Sequence, residues 1–292
     1  MADIPNAQDP GVAGAQGGAR VALLTQHGKE ALLAPLLADS LGWVLAHVTG
    51  FDTDTLGTFT REVPRPGSQL EAARAKARKG MELSGCPRGL ASEGAFVPDP
   101  ASGLFPWNIE LLVLVDDILG VEVVGIAQGL ACNQTGVVAD WAAAERLALE
   151  AGFPTHWLVV RPNGEDDPRV IKGIASWPAL RTAFEAAQAQ SDGGLVWLES
   201  DLRAMANPSR QAVIVQAGHD LVRRWRSLCP VCAAPGFWPV AVVRGLPCAA
   251  CGTPTRERQG ELWACVRCTH TLERALTGAQ RADPSRCDRC NP

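Results

Sequence analysis

The spacing of hydrophobic and polar residues between positions 20 and 227 predicts alternating strands and helices. Short apolar runs predict strands at 20–25, 43–48, 89–96, 109–115, 121–127, 156–161 and 195–199. Longer stretches with apolar residues three or four positions apart predict helices at 29–41, 69–84, 140–151, 178–190 and 208–227. The run at 109–115 is apolar on both faces, as expected of a central buried strand. This alternation predicts an α/β domain with a mixed or mostly parallel sheet flanked by helices.

Residues at the predicted helix ends support these boundaries. Asp140 is suited to cap one helix, and Asn207 precedes a proline at the first helical position of another. Ser68 and Glu71 form the S-x-x-E pattern of a capping box. The glycine- and alanine-rich start predicts a disordered tail at 1–19. We therefore divide the chain into that tail, an α/β domain at 20–227 and a C-terminal segment at 228–292.

Most of the cysteines belong to four C-x-x-C pairs in the C-terminal segment. The pairs are Cys229 and Cys232, Cys248 and Cys251, Cys265 and Cys268, and Cys287 and Cys290. One pair can direct two thiolates at one metal ion, and two pairs complete the tetrahedral shell that zinc prefers. Disulfides are disfavoured without a secretion signal, and redox C-x-x-C motifs do not occur in fours. The segment is therefore predicted to be a zinc-ribbon domain with two structural zinc ions and no open position for catalysis.

The sequence leaves the pairing at the two zinc sites open. Sequential pairing fits separations of 15 residues in the first half and 18 in the second, and it is the arrangement that we expect. The alternative is a hairpin in which the two middle pairs share one ion and the outer pairs share the other. Cys86 and Cys132 lie outside the pattern and are expected to bind no metal.

Composition narrows the classes of function. The chain is 47% hydrophobic and 20% charged, as in ordinary globular proteins. No apolar stretch approaches the roughly 20 residues of a membrane helix. We therefore expect a cytoplasmic protein without a membrane partner. Residues 221–292 carry eleven arginines and five acidic residues, but the thiolates and zinc ions together would add four negative charges, which weakens a nucleic-acid interpretation.

A second candidate site lies where the first predicted strand meets the first helix. The turn between them contains Thr25, His27, Gly28 and Lys29. A glycine, a cation and a helix N-terminus together suit an anion such as phosphate. One glycine is far from a phosphate-loop signature, so the alternative is a solvated Lys29 and an empty turn.

Two later stretches contain residue types that a phosphate site needs. The helix at 69–84 carries Arg74 and Lys76, and the strand at 89–96 carries Ser92 and Glu93 between small residues. Cations absorb charge on phosphate oxygens, and a carboxylate can hold magnesium. The alternative for Arg74 and Lys76 is a solvated helix face.

The order of these motifs resembles the inosine triphosphate pyrophosphatase superfamily. The motifs are T-x-H-G-K at 25–29, G-T-F at 57–59, A-x-x-K-A at 73–77, A-S-E-G at 91–94 and S-R-x-A at 209–212. The resemblance implies an elongated α/β fold and magnesium-dependent hydrolysis of non-canonical nucleoside triphosphates to monophosphates. The layout is also similar to a bacterial family of uncharacterised proteins ending in zinc knuckles, which implies no activity.

The resemblance also implies roles for individual residues. The turn with Lys29 would grip phosphates, Lys76 would neutralise the triphosphate, and Glu93 would bind magnesium or activate water. Ser209 and Arg210 would touch the base. The chain departs from the family pattern because His27 replaces the usual Asn and because Ser92 and Glu93 replace paired aspartates. Glu71 would match a metal-binding Glu, but its capping-box position favours a structural role.

Two other classes of function stay open. Arginines at 244, 256, 258 and 267 lie close in sequence to Trp238 and Trp263, and aromatic side chains of this kind can stack on nucleic-acid bases. The zinc end could alternatively serve as a docking surface for another protein. Convergence of Lys29, Lys76 and Glu93 on one cleft would favour the nucleotide hypothesis over both.

Overall fold

The computed structural model describes residues 18–51, 67–278 and 280–292. Residues 1–17 of the predicted tail and the G-T-F motif lie outside these ranges. The described part is a mixed α/β structure followed by two C-terminal clusters of four cysteines. The predicted fold class is therefore confirmed.

The larger of the two α/β sheets has the order β2-β1-β3-β4-β5. Its strands are β1 (Arg20–Leu24), β2 (Val44–Val48), β3 (Arg88–Pro98), β4 (Pro106–Asp116) and β5 (Val121–Leu130). The first three are parallel, and β4 and β5 are antiparallel to their neighbours. The apolar run predicted as a central strand is β4, which is largely buried between β3 and β5.

The predicted strands are divided between this sheet and a second one with the order β6-β9-β7-β8. The strands of the second sheet are β6 (Thr135–Val138), β7 (Leu158–Pro162), β8 (Ile171–Ile174) and β9 (Val196–Ser200), and all of its pairings are antiparallel. The pattern did not predict β6 and β8, because each has only four residues, TGVV and IKGI, and neither alternates between apolar and polar side chains.

All five predicted helices form. They are α1 (Lys29–Leu41), α2 (Gln69–Ser84), α3 (Trp141–Glu150), α4 (Trp177–Ala189) and α5 (Pro208–Arg226). Ser68 and Glu71 make the predicted capping box on α2, and the side chains of Asp140 and Asn207 cap α3 and α5. These bonds satisfy amides that have no partner inside the helix, which is why the sequence located the helix starts.

Helices cover both faces of the larger sheet. Leu33 of α1 and Ile214 of α5 pack with Leu112, whereas Ala77 of α2 packs with Val113. Since neighbouring strand residues point to opposite faces, α1 and α5 lie on one face and α2 lies on the other. The chain therefore leaves β1 over one face to reach β2 and returns over the other face to reach β3.

This path creates a topological switch point between β1 and β3, which are neighbours in the sheet. In open α/β sheets, ligands bind in the crevice outside the carboxyl ends of the strands at such a point. Here β3 pairs with β1 at Gly89 and Leu90 and then continues to Pro98. The edge of β3 beyond the end of β1 is referred to below as the crevice.

The C-terminal segment contains a small antiparallel sheet with the order β10-β11-β12. Its strands are β10 (Trp238–Arg244), β11 (Arg258–Ala264) and β12 (Thr271–Ala275). Most residues of this sheet are at least partly exposed. A sheet with so little buried surface needs another source of stability, which the cysteine clusters can supply.

Candidate functional site

The eight cysteines of the C-x-x-C pairs meet in two clusters. Cluster one contains Cys229, Cys232, Cys265 and Cys268, and cluster two contains Cys248, Cys251, Cys287 and Cys290. The first pair thus joins the third, and the second joins the fourth. Both pairings considered from the sequence, sequential and hairpin, are therefore wrong. Pairing depends on how the sheet folds the chain back on itself, and the spacings of the pairs do not encode it.

The sulfur positions fit zinc. Within each cluster the sulfurs lie within 4.8 Å of one another, and the closest pairs are 3.6–3.9 Å apart. Four sulfurs at the usual Zn–S distance of about 2.3 Å are separated by about 3.8 Å in a regular tetrahedron. A disulfide would bring two sulfurs to about 2.05 Å. Both clusters are therefore compatible with one zinc ion each, held by four ligands.

The first C-x-x-C pair of each cluster makes the same tight turn. The amides of Ala233 and Gly252 donate to the carbonyls of Cys229 and Cys248 at 2.9 and 3.0 Å. Both residues have positive φ, 56° and 73°, a region that suits glycine and strains alanine. Ala233 holds this conformation because the turn must direct two sulfurs at one point.

The zinc segment packs directly on the α/β part of the chain. A Cβ on Gly236 would lie 2.9 Å from a methyl carbon of Val123 in β5. The amide of Phe237 donates to the carbonyl of Ser227, which follows α5, at 3.0 Å. The guanidinium of Arg224 lies over the ring of Trp238, 5.2 Å from its centroid. These contacts fix the start of the zinc segment against α5 and β5.

Lys29 is the first residue of α1 and points into the crevice. Gly28 caps the helix in the left-handed conformation, with φ of 72°, and makes no side-chain capping bond. The side chain of Lys29 is buried, and its ammonium donates to the carbonyl of Ser92 in β3 at 2.5 Å. The sequence predicted a phosphate-binding lysine at this turn. In the structure, the Lys29 side chain points toward the open edge of β3.

Lys76 approaches the same strand from the opposite face. Its ammonium forms an ion pair with Glu93, and both side chains are largely buried. Gln69, at the start of α2, fixes this part of β3 by donating to the carbonyl of Glu93 at 2.7 Å. Lys29 from α1 and Lys76 from α2 therefore reach consecutive residues of β3.

A second ion pair completes the cluster. Arg210 donates to Glu110 of β4 at 2.7 Å, and both side chains are fully buried. Asn108 donates to the same carboxylate oxygen at 3.1 Å. A Cβ on Gly94 would lie 2.2 Å from this carboxylate and 2.6 Å from the guanidinium. Sequence reasoning missed Glu110, although a carboxylate inside an apolar strand is itself a signal because it requires a buried partner.

The electrostatics couple these groups into one unit. The pKa of Lys29 is lowered to about 8, mainly by burial and also by the charges of Arg210 and Lys76, which outweigh the opposite effect of Glu93 and Glu110. Three cations and two carboxylates leave the cluster with a net charge of +1. A buried excess of positive charge favours the binding of an anion.

Two of the predicted binding residues lie outside this cluster. Arg74 pairs with Glu122 at 2.6 Å, and the strand register sets Glu122 level with Gly89, four residues before Glu93. The separation along the strand is about 13 Å. The Ser209 hydroxyl accepts from the Cys132 amide at 2.8 Å and lies 3.2 Å from a ring nitrogen of His156. Ser209 therefore braces the start of α5 while Arg210, its neighbour, joins the cluster.

The other predicted residues of the turn and of β3 have structural bonds. The Thr25 hydroxyl accepts from the amide of His27 at 3.3 Å, and the Thr25 carbonyl accepts from His47 at 2.9 Å. The Ser92 hydroxyl lies 3.4 Å from the carboxylate of Glu110. These contacts hold the turn and β3 in the positions that bring Lys29 to the crevice.

Cys86 and Cys132 lie away from both cysteine clusters. Cys86 is buried with Ala22 and Leu24 in the core, and the Cys132 thiol lies 3.2 Å from the carbonyl of Ala151. Across the ranges that the structure describes, no helix is long and apolar enough to span a membrane.

The comparisons with known proteins give one match. A family model described as a domain of unknown function, DUF6671, matches residues 76–292, about three quarters of the chain. No curated protein and no solved structure matches. The matched region begins at Lys76 and includes Glu93, Arg210 and both cysteine clusters, whereas Lys29 precedes it.

Proposed function

This chain belongs to the DUF6671 family, and we propose that it is a magnesium-dependent hydrolase of nucleoside triphosphates or related nucleotide phosphates. Its two cysteine clusters would serve as structural zinc sites in a ribbon that packs on α5 and β5. The ligand would bind in the crevice, with its phosphates toward Lys29.

One observation carries this proposal. Lys29, Lys76 and Arg210, from three different helices, converge with two carboxylates at the switch point of the sheet. Solvated surface lysines do not converge in this way, and a crevice at the carboxyl ends of parallel strands is the common position for nucleotides in α/β sheets. The ordered motifs that resemble the pyrophosphatase superfamily contain these same residues and agree with the proposal.

The charges of the cluster define the roles that we assign to its residues. Lys29 and Lys76 would donate charge-assisted hydrogen bonds to phosphate oxygens. Arg210 is fixed by Glu110 and would maintain the positive potential of the crevice. Lys76 forms an ion pair with Glu93, and an anionic ligand that attracts Lys76 would expose that carboxylate.

Magnesium fits the donor chemistry of the crevice. In nucleotide enzymes this ion is commonly held by one or two carboxylates together with the phosphates of the substrate. Glu93 is the carboxylate that we assign to it, because Glu93 lies on the part of β3 that continues beyond its pairing with β1, whereas Glu110 lies on β4 and pairs with Arg210. When bound, the ion would neutralise charge on the transferred phosphoryl group and orient water.

The first experiment is a screen of the purified full-length protein with magnesium against a panel of nucleoside triphosphates, including non-canonical ones. Release of pyrophosphate or phosphate is measured. We expect turnover of at least one nucleotide and its loss in Glu93→Gln, which keeps the shape of the side chain and removes its charge. An unchanged rate in Glu93→Gln would reject the assigned role of this residue.

Helix α2 provides a matched control. Lys76→Met removes a cation from the crevice, whereas Arg74→Ala removes a cation two positions earlier that pairs with Glu122. We expect Lys76→Met to raise the KM strongly and Arg74→Ala to leave it within about twofold. Equal effects would indicate a general contribution of positive charge on α2 and no specific contact at Lys76.

A non-enzymatic zinc-ribbon protein that binds nucleic acid or protein is the alternative function. The Trp238 and Trp263 rings lie 5.6 Å apart, and the Arg274 guanidinium covers Trp263 at 3.9 Å from its centroid. These contacts occupy the aromatic faces that base stacking would need. Absence of nucleotide turnover and binding across the panel would favour the alternative.

A further inference from the structure

The two cysteine clusters differ in their exposure to solvent. In cluster one, Cys229 is buried and the other three cysteines are half-buried. In cluster two, Cys251 and Cys290 are exposed, whereas Cys248 and Cys287 are buried. A soluble oxidant can therefore reach two thiolates of cluster two directly.

The residues that surround the two clusters also shield cluster two less than cluster one. Beside cluster one, Phe237 is buried and stacks on His270, with ring centroids 5.6 Å apart. The stretches that carry cluster two, 245–259 and 280–292, contain no aromatic residue. The hydrophobic shell of a metal site controls solvent access, so cluster two is the less protected of the two.

The stretch at 280–292 depends on cluster two for its position. Only Ala282 and Cys287 are buried within it, and exposed ion pairs such as Arg256 with Asp288 add little. The backbone bonds between Ala282 and the 247–249 turn are its main attachment besides the cysteines. Loss of the zinc ion from cluster two would therefore release the residues after Ala282 and leave cluster one in place.

The geometry points to Cys251 and Cys290 as a redox modification site whose oxidant is a peroxide. One thiolate attacks the O–O bond, forming a sulfenic acid and hydroxide. The second thiolate attacks the sulfenic sulfur, forms the S–S bond and expels a second hydroxide. The two thiolates lose two electrons, the peroxide gains them, and both hydroxides take up protons to give water. With two of its four ligands gone, the zinc ion leaves.

The sulfurs of Cys251 and Cys290 are close enough for this reaction. All four ligand atoms of cluster two lie within 4.8 Å of one another. The exposed stretch that carries Cys290 can close the remaining distance to the S–S length of about 2.05 Å once the ion is released. Cluster one lacks an exposed pair, and its thiolates are expected to react more slowly.

The test uses the zinc-loaded, full-length protein and hydrogen peroxide. Zinc release is followed with a metallochromic dye, and the oxidised cysteines are identified by differential alkylation and mass spectrometry. We expect one equivalent of zinc to leave roughly tenfold or more faster than the second, together with a disulfide between Cys251 and Cys290. A thiol reductant and added zinc should restore two equivalents.

Cys132 is an internal control for general thiol oxidation, because it is half-buried and lies outside both clusters. The assignment is overturned if both zinc ions leave at the same rate, if cluster one reacts first, or if Cys132 is oxidised before any zinc is released. Since the measurement uses the unmodified chain, its outcome does not depend on whether a cysteine variant folds. It is also independent of nucleotide hydrolysis.

Discussion

Gly94→Ala should disrupt the buried ion pair between Arg210 and Glu110. The added Cβ would lie 2.2 Å from the Glu110 carboxylate and 2.6 Å from the Arg210 guanidinium. Neither group can move freely, because Arg210 also donates to the Leu202 carbonyl and Glu110 accepts from Asn108. Overpacking of a core costs about 1–3 kcal/mol, and complete loss of one partner of a buried ion pair, which is an upper bound here, costs about 3–5 kcal/mol. We therefore expect a loss of about 2–4 kcal/mol.

Gly129→Ala on β5, which is separated from β3 by β4, is the matched control. Its added Cβ would meet only a methyl carbon of Val213, at an ordinary contact distance of 3.7 Å. Glycine within a strand is less stable than alanine by about 0.5–1 kcal/mol. The control should therefore be unchanged or slightly stabilised.

Thermal unfolding followed by tryptophan fluorescence and circular dichroism measures the difference. A loss of 2–4 kcal/mol corresponds to a fall in Tm of roughly 4–16 °C for a domain of this size. If Gly94→Ala and Gly129→Ala have the same Tm, the close packing of the Arg210 and Glu110 pair against β3 is refuted.

Three further predictions follow from the described contacts. Folding lowers the pKa of Lys29 from 10.5 to about 8, so between these pH values the unfolded chain binds more protons than the folded chain. The free energy of unfolding should therefore rise by about 3 kcal/mol from pH 8 to pH 10.5. Lys29→Met should remove this rise. Chelation of zinc should unfold residues 229–292 and lower the Tm of the α/β part of the chain, because Gly236 and Phe237 pack on β5 and on the end of α5. Independent melting of the two parts would contradict this prediction. Ser68→Ala should cost about 1 kcal/mol in urea unfolding, because the amide of Glu71 loses its acceptor, and an unchanged midpoint would show that the capping box contributes nothing.

Much of the fold was predictable because local signals determine it. Asp140 and Asn207 each satisfy an amide in the first turn of their own helix, so a short stretch of sequence was sufficient to locate the start. The division into two sheets was not predictable, because strand pairing depends on residues far apart in sequence. The short strand β8, for example, pairs with β7 through only two registered residue pairs.

The candidate site was predictable only in part, for a similar reason. Sequence alone cannot separate Arg74 from Lys76, because both are cations on one helix and only the sheet beneath decides which meets Glu93. The interleaved cysteine pairing likewise depends on how β10, β11 and β12 fold together. By contrast, Lys29 and Glu93 could be selected as candidate site residues from the sequence, because a phosphate site needs a cation and a carboxylate can hold magnesium.

Calorimetric titration of the protein with inorganic pyrophosphate and magnesium near pH 8 tests the central claim most directly. We predict binding to the unmodified protein and to Arg74→Ala, and at least about tenfold weaker binding to Lys76→Met, because a charge-assisted hydrogen bond is worth about 1.5–3 kcal/mol. We also predict proton uptake on binding, because a bound anion raises the pKa of Lys29. Repeating the titration in a buffer of different ionisation enthalpy would detect this uptake. Equal affinity of all three proteins, or no binding to any of them, would contradict the claim that the crevice binds phosphates.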